Sequence, residues 1–219
     1  MEINIGILMA DLSGYTALTE VHGDRAAMLV INKFLDIAKK SLAGESKLLE
    51  RAGDQLVIIS EDADDLARTA MALLRNSERE SHFLPIHAGL HYGTVFEHQG
   101  HFYGGTLNLA ARISARAKGN RILCSGDFID AMAEPDLYRT VYQGSFNFKN
   151  VFEAREIFEL QAESNDERFE PKIDPICQMQ LDEEELNISY HNGHEDYHFC
   201  SEDCKEIFHK TQVQLQMAS

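Results

Sequence analysis

From residue 3 to residue 161 the apolar residues change their period repeatedly, and the order of those changes limits the fold most. Ile3, Ile5 and Ile7 alternate with polar or small residues, then Leu8-Met9-Ala10 runs into Asp11, which reads as a strand ending on an acid. Behind Asp24, a candidate N-cap, Ala27, Val30, Ile31, Phe34, Leu35 and Ala38 share one helical face. Leu48-Leu49 and Leu56 to Ile59 are strand-type runs flanking Gly53-Asp54, which is good turn chemistry. Leu66, Ala70, Leu73 and Leu74 restore the helical period, and Ile86, Ala88, Leu90 and Tyr92 alternate again. A helix opened by two glycines follows at "GGTLNLAARISARAK", and "RILCS", "YRTVYQG" and "EIFELQ" are three more strands. Helices interleaved with a partly antiparallel sheet predict an α+β domain. The pattern lapses at "AESNDERFEPKIDP", residues 162–175, where charge rises and two prolines bracket the exit. This predicts a first domain at 1–162, a linker at 163–172 and a module at 173–219. The module has roughly 45 residues, too few to stand on core burial alone, and a bound metal would help it.

Charge narrows the partners. The chain carries 36 acidic against 20 basic residues, a net charge of −16, which argues against nucleic acid. It leaves room for a nucleotide, since a metal and a few placed cations hold phosphates locally. No apolar run approaches the ~18 residues of a membrane span. The N-terminus has no basic region ahead of its apolar stretch and carries Glu2, so a cytoplasmic protein is expected. In a reducing compartment Cys177, Cys200 and Cys204 suggest metal ligation rather than disulfides.

Asp11 and Asp54 each read alone as turn residues. If the first strand lies beside the 48–60 hairpin, the two carboxylates converge, which suits two Mg²⁺ or Mn²⁺ ions roughly 3.5–4 Å apart. Asn108 and Arg112 stand four residues apart on one helical face, an amide and a guanidinium fork presented together. Glu50 is a carboxylate in a strand that otherwise reads as buried. His87 and His91 fall on the polar side of a strand and read as structural or surface residues.

The segments "ADLSGYTAL", "ERAGDQLVI", "IHAGLHYGTVF" and "FYGGTLNLAARI" resemble, in order and spacing, the class III nucleotidyl cyclase domain, a ferredoxin-like α+β fold, over roughly residues 3–160. The resemblance implies a head-to-tail homodimer that converts ATP or GTP to the 3′,5′-cyclic nucleotide and pyrophosphate. It implies that Asp11 and Asp54 hold the metals with the Leu12 carbonyl, that Asn108 orients the ribose, and that Arg112 stabilises charge on the transferring phosphate. Lys149 resembles a phosphate-contacting lysine. Glu50 and His101 stand where the family reads its purine. Adenine-type members carry Lys with Asp or Thr there, and guanine-type members Glu with Cys, so this pair matches neither set. A carboxylate accepts from guanine N1–H and opposes adenine N1, which leans the reading to GTP.

The segment "DPICQM…YHFCS" resembles the YHS domain. Its three cysteines suit Zn²⁺, Cu⁺ or another soft ion, with His198 or His194 as a fourth ligand, or else form a small buried core. Two functions stay open: a cyclase with a metal-sensing tail, or a cyclase-fold regulatory dimer whose YHS module binds metal. The filled catalytic positions favour the first.

Overall fold

The structure is a computed structural model that describes residues 1–162, 171–182 and 186–217, with side chains as far as residue 212. Most of the expected 163–172 linker lies outside the described residues. The first domain runs β1 (Glu2–Leu12), α1 (Tyr15–Ser41), β2 (Lys47–Ala52), β3 (Gln55–Ser60), α2 (Ala63–Glu78), β4 (Ile86–His98), β5 (His101–Tyr103), α3 (Gly105–Ser114), β6 (Arg121–Ser125), α4 (Gly126–Asp130), β7 (Tyr138–Phe146) and β8 (Arg155–Ala162). The strands form one sheet in the order β2-β3-β1-β4-β6-β8-β7, with β5 paired to β4. β1 is antiparallel to both β3 and β4, and β4 is parallel to β6.

Both faces of β1 are buried, which is why its alternation dissolves into a continuous apolar run. Leu8, Ala10 and Leu12 face α1 and α2, and join Phe34, Leu66 and Leu73 in the main core. Ile5, Ile7 and Met9 point the other way, with Val57 and Val95, onto Ala110 of α3. α3 lies close against β4 because Gly89 has no side chain: a Cβ there would sit 2.2 Å from the Ser114 nitrogen.

Two sequence expectations shift. The long helix begins at Tyr15 rather than behind Asp24, and Leu18 and Val21 carry its apolar face into the core. It is broken at Gly23 (φ 78°, ψ 172°), so Asp24 follows a break instead of opening the helix. The strand holding Glu50 is not buried: β2 is the sheet's edge, and Glu50, Arg51 and Ala52 are exposed.

After the linker come a β9 (Ser189–His191) and β10 (Asp196–His198) hairpin and α5 (Glu202–Met217). Cys177, Phe199, Cys204 and Phe208 pack into the same core as Phe34 and Phe83. The Gln180 N–H donates to the Phe83 carbonyl at 2.8 Å, and its side chain donates to Ser77 at 3.2 Å. The module is therefore docked on the first domain, and part of its burial comes from that docking.

Candidate functional sites

Asp11 sits one residue before the end of β1, opposite His87 of β4. Its register continues the row of Ile7 and Met9, so it belongs to the α3 face of the sheet. Glu50 pairs with Val57, which pairs with Met9, and so shares that face. The hairpin turns at Gly53 (φ 65°), a left-handed position that glycine adopts cheaply, and this brings Asp54 back toward Asp11. The two acids are near enough to perturb each other. The Asp11 carboxyl is pushed up to about 6, first by burial and then by the charge of Asp54, against a Leu12 N–H bond that favours ionisation. That N–H donates to Asp11 Oδ1 at 3.1 Å. Among the described residues neither acid forms an ion pair with a Lys or Arg. Two crowded carboxyls without a cationic partner are a donor set that a hard divalent ion fits.

His87 was not expected at this site. Its Nε2 lies 3.7 Å from Asp11 Oδ2, and its Nδ1 lies 3.0 Å from Ser13 Oγ. Burial holds it below its usual range, against the charge of Asp54, which favours the protonated ring. The signal for it was the β1–β4 register, which the sequence does not print. His91 is the structural residue expected: buried, with Nδ1 2.7 Å from Ser125 Oγ.

Asn108 is exposed and Arg112 half-buried on α3, whose N-terminal end is fixed by Thr106 Oγ1 donating to the Thr94 carbonyl at 2.6 Å. Among the described residues, no hydrogen bond or ion pair joins either to Asp11 or Asp54. His101 lies exposed in β5 and Lys149 exposed in the turn between β7 and β8. The structure brings together Asp11, Leu12 and Asp54, while among the described residues no hydrogen bond or ion pair ties Asn108, Arg112, His101 or Lys149 to them.

The second cluster is in the docked module. Cys200 precedes α5 and Cys204 lies in its first turn, so the x₃ spacing puts both sulfurs on one side, 3.6 Å apart. Cys177 returns from the other loop to 3.5 Å from Cys200. Buried Asp174 fixes that meeting: its Oδ1 accepts from the Ile176 and Cys177 N–H groups (2.7 and 3.2 Å), and its Oδ2 from the Cys200 N–H (2.8 Å). The bonds to Cys200 and Cys204 hold the Cys177 thiol far above its usual range. The fourth side chain is His22 of α1, with Nε2 at 3.4 Å from Cys200 and 3.7 Å from Cys204. All four ligand atoms lie within 4.8 Å of one another. His198 is not there: its Nε2 lies 2.7 Å from Lys172 Nζ and its Nδ1 3.1 Å from the Leu186 carbonyl. His194 is exposed in the hairpin turn.

Residues 172–214 match the YHS domain family. The curated relatives are similar to the first domain. The uncharacterized protein Rv2212 of Mycobacterium tuberculosis is 31% identical over 134 residues, 60% of this chain and 35% of its own length. An adenylate cyclase of Streptomyces griseus is 27% identical over 126 residues, 56% of this chain and 31% of its own. The chain spans about a third of the length of these relatives. Among solved structures, the catalytic core of a rhodopsin-guanylyl cyclase with converted specificity, in complex with ATPαS, superposes with a TM-score of 0.65 at 17% identity, covering 74% of this chain and 97% of that one. The adenylyl cyclase CyaB of P. aeruginosa gives 0.62 at 17% identity, covering 76% and 98%.

Proposed function

We propose that this chain, a class III cyclase fold followed by a YHS domain, is a nucleotidyl cyclase that works as a homodimer, with residues 1–162 as its catalytic domain and 173–219 as the YHS module. The observation that carries this reading is the meeting of Asp11 and Asp54, where burial and mutual repulsion raise the Asp11 carboxyl to about 6. Such a pair is costly in a metal-free protein and is relieved by divalent cations.

Asp11, Asp54 and the Leu12 carbonyl would hold two Mg²⁺ or Mn²⁺ ions. Once bound, these lower the pKa of the attacking hydroxyl and neutralise the triphosphate. The ribose 3′-hydroxyl gives up its proton to solvent and its oxygen attacks the α-phosphorus, the bond to the bridging oxygen breaks, and pyrophosphate leaves with the electron pair. Arg112 acts on the charge that grows on the phosphate oxygens, and Lys149 on the outer phosphates. Asn108 orients the ribose. Among the described residues no hydrogen bond or ion pair ties Asn108 or Arg112 to the acids of their own chain, and on this reading they would serve the partner's acids. Glu50, on the same face as Asp11, reads the purine with His101, and its acceptor oxygens favour guanine.

The deciding experiment incubates the purified protein with Mn²⁺ and either ATP or GTP and quantifies the cyclic product. Activity should vanish in Asp54→Ala and in Arg112→Ala separately. It should return when the two variants are mixed, because one composite site is then intact. Inactive mixtures with verified heterodimers would refute the shared site.

A further inference from the structure

We propose that His22, Cys177, Cys200 and Cys204 form one tetrahedral site for a thiophilic cation, Zn²⁺ by its donor set, and that this ion latches the YHS module onto α1 of the cyclase domain. The cysteines alone would make the module a self-contained metal binder. The ligand from the other domain turns the site into a joint.

Four of the six edges among the ligand atoms match those of a tetrahedral site, and the other two lie within 4.8 Å. Bonds of ~2.3 Å to sulfur and ~2.05 Å to nitrogen set S–S edges of about 3.8 Å and S–N edges of about 3.6 Å. The sulfur pairs stand at 3.5 and 3.6 Å, and the imidazole nitrogen at 3.4 and 3.7 Å from two of them. A disulfide would bring one pair to about 2 Å and leave the third sulfur aside; here all four cysteines of the chain are free thiols. Three thiolates and one imidazole are a closed structural zinc set, with no position left for substrate.

The backbone around each ligand is arranged for this. His22 is the last residue before the Gly23 break, so the first two turns of α1 take a direction of their own toward the tail. A Cβ on Gly23 would meet nothing within 4 Å, so its left-handed φ, not crowding, is what calls for glycine. Asp174 ties the Cys177 loop to the Cys200 loop through three N–H groups. At the other end of the same helical arm, a Cβ on Gly14 would lie 2.2 Å from the Gln178 Cβ, so the tail touches the loop that follows Asp11. Gly14 is the left-handed cap of α1 (φ 88°). The arm Tyr15–His22 is thus held by the tail at its start and by the ion at its end.

The test uses the full chain, stripped of metal and titrated with Co²⁺ as a spectroscopic stand-in for Zn²⁺. One equivalent should give sulfur-to-cobalt charge-transfer absorption and the visible bands of a tetrahedral ion. His22→Ala should keep the sulfur band, weaken binding at least about tenfold and shift the visible bands as water replaces nitrogen. His198→Ala should change neither. Hydrogen exchange supplies a second readout: Zn²⁺ should slow amide exchange across residues 15–22 in the wild type and leave it unchanged in Cys200→Ser. The latch is overturned if His22→Ala binds and absorbs like the wild type, if His198→Ala is the variant that changes, or if Zn²⁺ does not slow exchange in that arm. None of these readouts requires cyclase activity, so the latch and the catalytic reading fail separately.

Discussion

Asp11 and Asp54 on one side of the loop after β1, and His22 with three cysteines on the other, are two ligand clusters built by opposite means. The acids are hard donors, Asp11 near the end of β1 and Asp54 in the turn before β3, and the β1–β3 register together with the Gly53 turn brings them together. Among the described residues no Lys or Arg pairs with them. The thiols and imidazole are soft donors drawn from segments 178 residues apart, yet all four converge within one chain. A catalytic metal site keeps an open position for substrate. A structural joint closes on itself.

The largest effect should separate the two clusters outright. On the proposed reading, in which Asp11 holds the metals at the reacting phosphate, Asp11→Ala is expected to lower cyclic-nucleotide formation by at least about 10³-fold. The sulfur-to-cobalt band of the same variant should be unchanged. Loss of that band would mean that the clusters are not independent.

Gly14→Ala tests where they touch. A left-handed alanine costs about 1–2 kcal/mol, and forcing a methyl against Gln178 costs about 1–3 more. A fall in stability of about 3 kcal/mol is expected by denaturant titration. Gln178→Gly should recover the steric part and leave the conformational part; no recovery would mean that the tail does not press on this loop.

Glu50→Lys sharpens the reacting side. A donor then faces adenine N1 and opposes guanine N1–H, so the GTP/ATP ratio of kcat/KM should fall by roughly tenfold to a hundredfold. An unmoved ratio in an active protein would remove Glu50 from the purine pocket.

The smallest effect concerns stability against pH. Burial holds His91 down at about 4 from an ordinary 6.5. The unfolded chain therefore binds the proton first, and the stability this residue contributes is present above pH 6.5 and lost as pH falls toward 4. His91→Gln should remove about 1–2 kcal/mol of that acid sensitivity, read as a flatter unfolding free energy between those limits. An equal slope in both proteins would place the acid sensitivity elsewhere.

Local pattern made the cyclase-like half legible, because its motifs sit where strands end and turns begin. The periods of β1, α2, β4 and α3 fell at their observed places. Exposure was less legible. Leu48-Leu49 reads as buried until the topology puts β2 at the sheet's edge, which leaves Glu50 open to a ligand. His87 needed the β1–β4 register, and His22 needed the docking of a module that follows it by some 150 residues. Within its own helix His22 is one polar residue among several. Its only local hint is the glycine after it, where an unbroken helix would prefer almost anything else. His198, inside the motif that gives the tail its likeness, was the natural choice of fourth ligand, and its ring turned instead to Lys172 and Leu186.

The bare Cα of Gly14 also bears on how such a chain can be taken apart and recombined. That position answers at once to the loop after Asp11 and to the Gln178 side chain seated on it. A YHS segment set behind a domain that carried a side chain at this position, or lacked an imidazole at that of His22, would travel as cargo on a tether. The two halves of this protein follow one another in sequence but are fitted as a pair, so the unit that can be exchanged intact is the tail together with the first eight residues of α1.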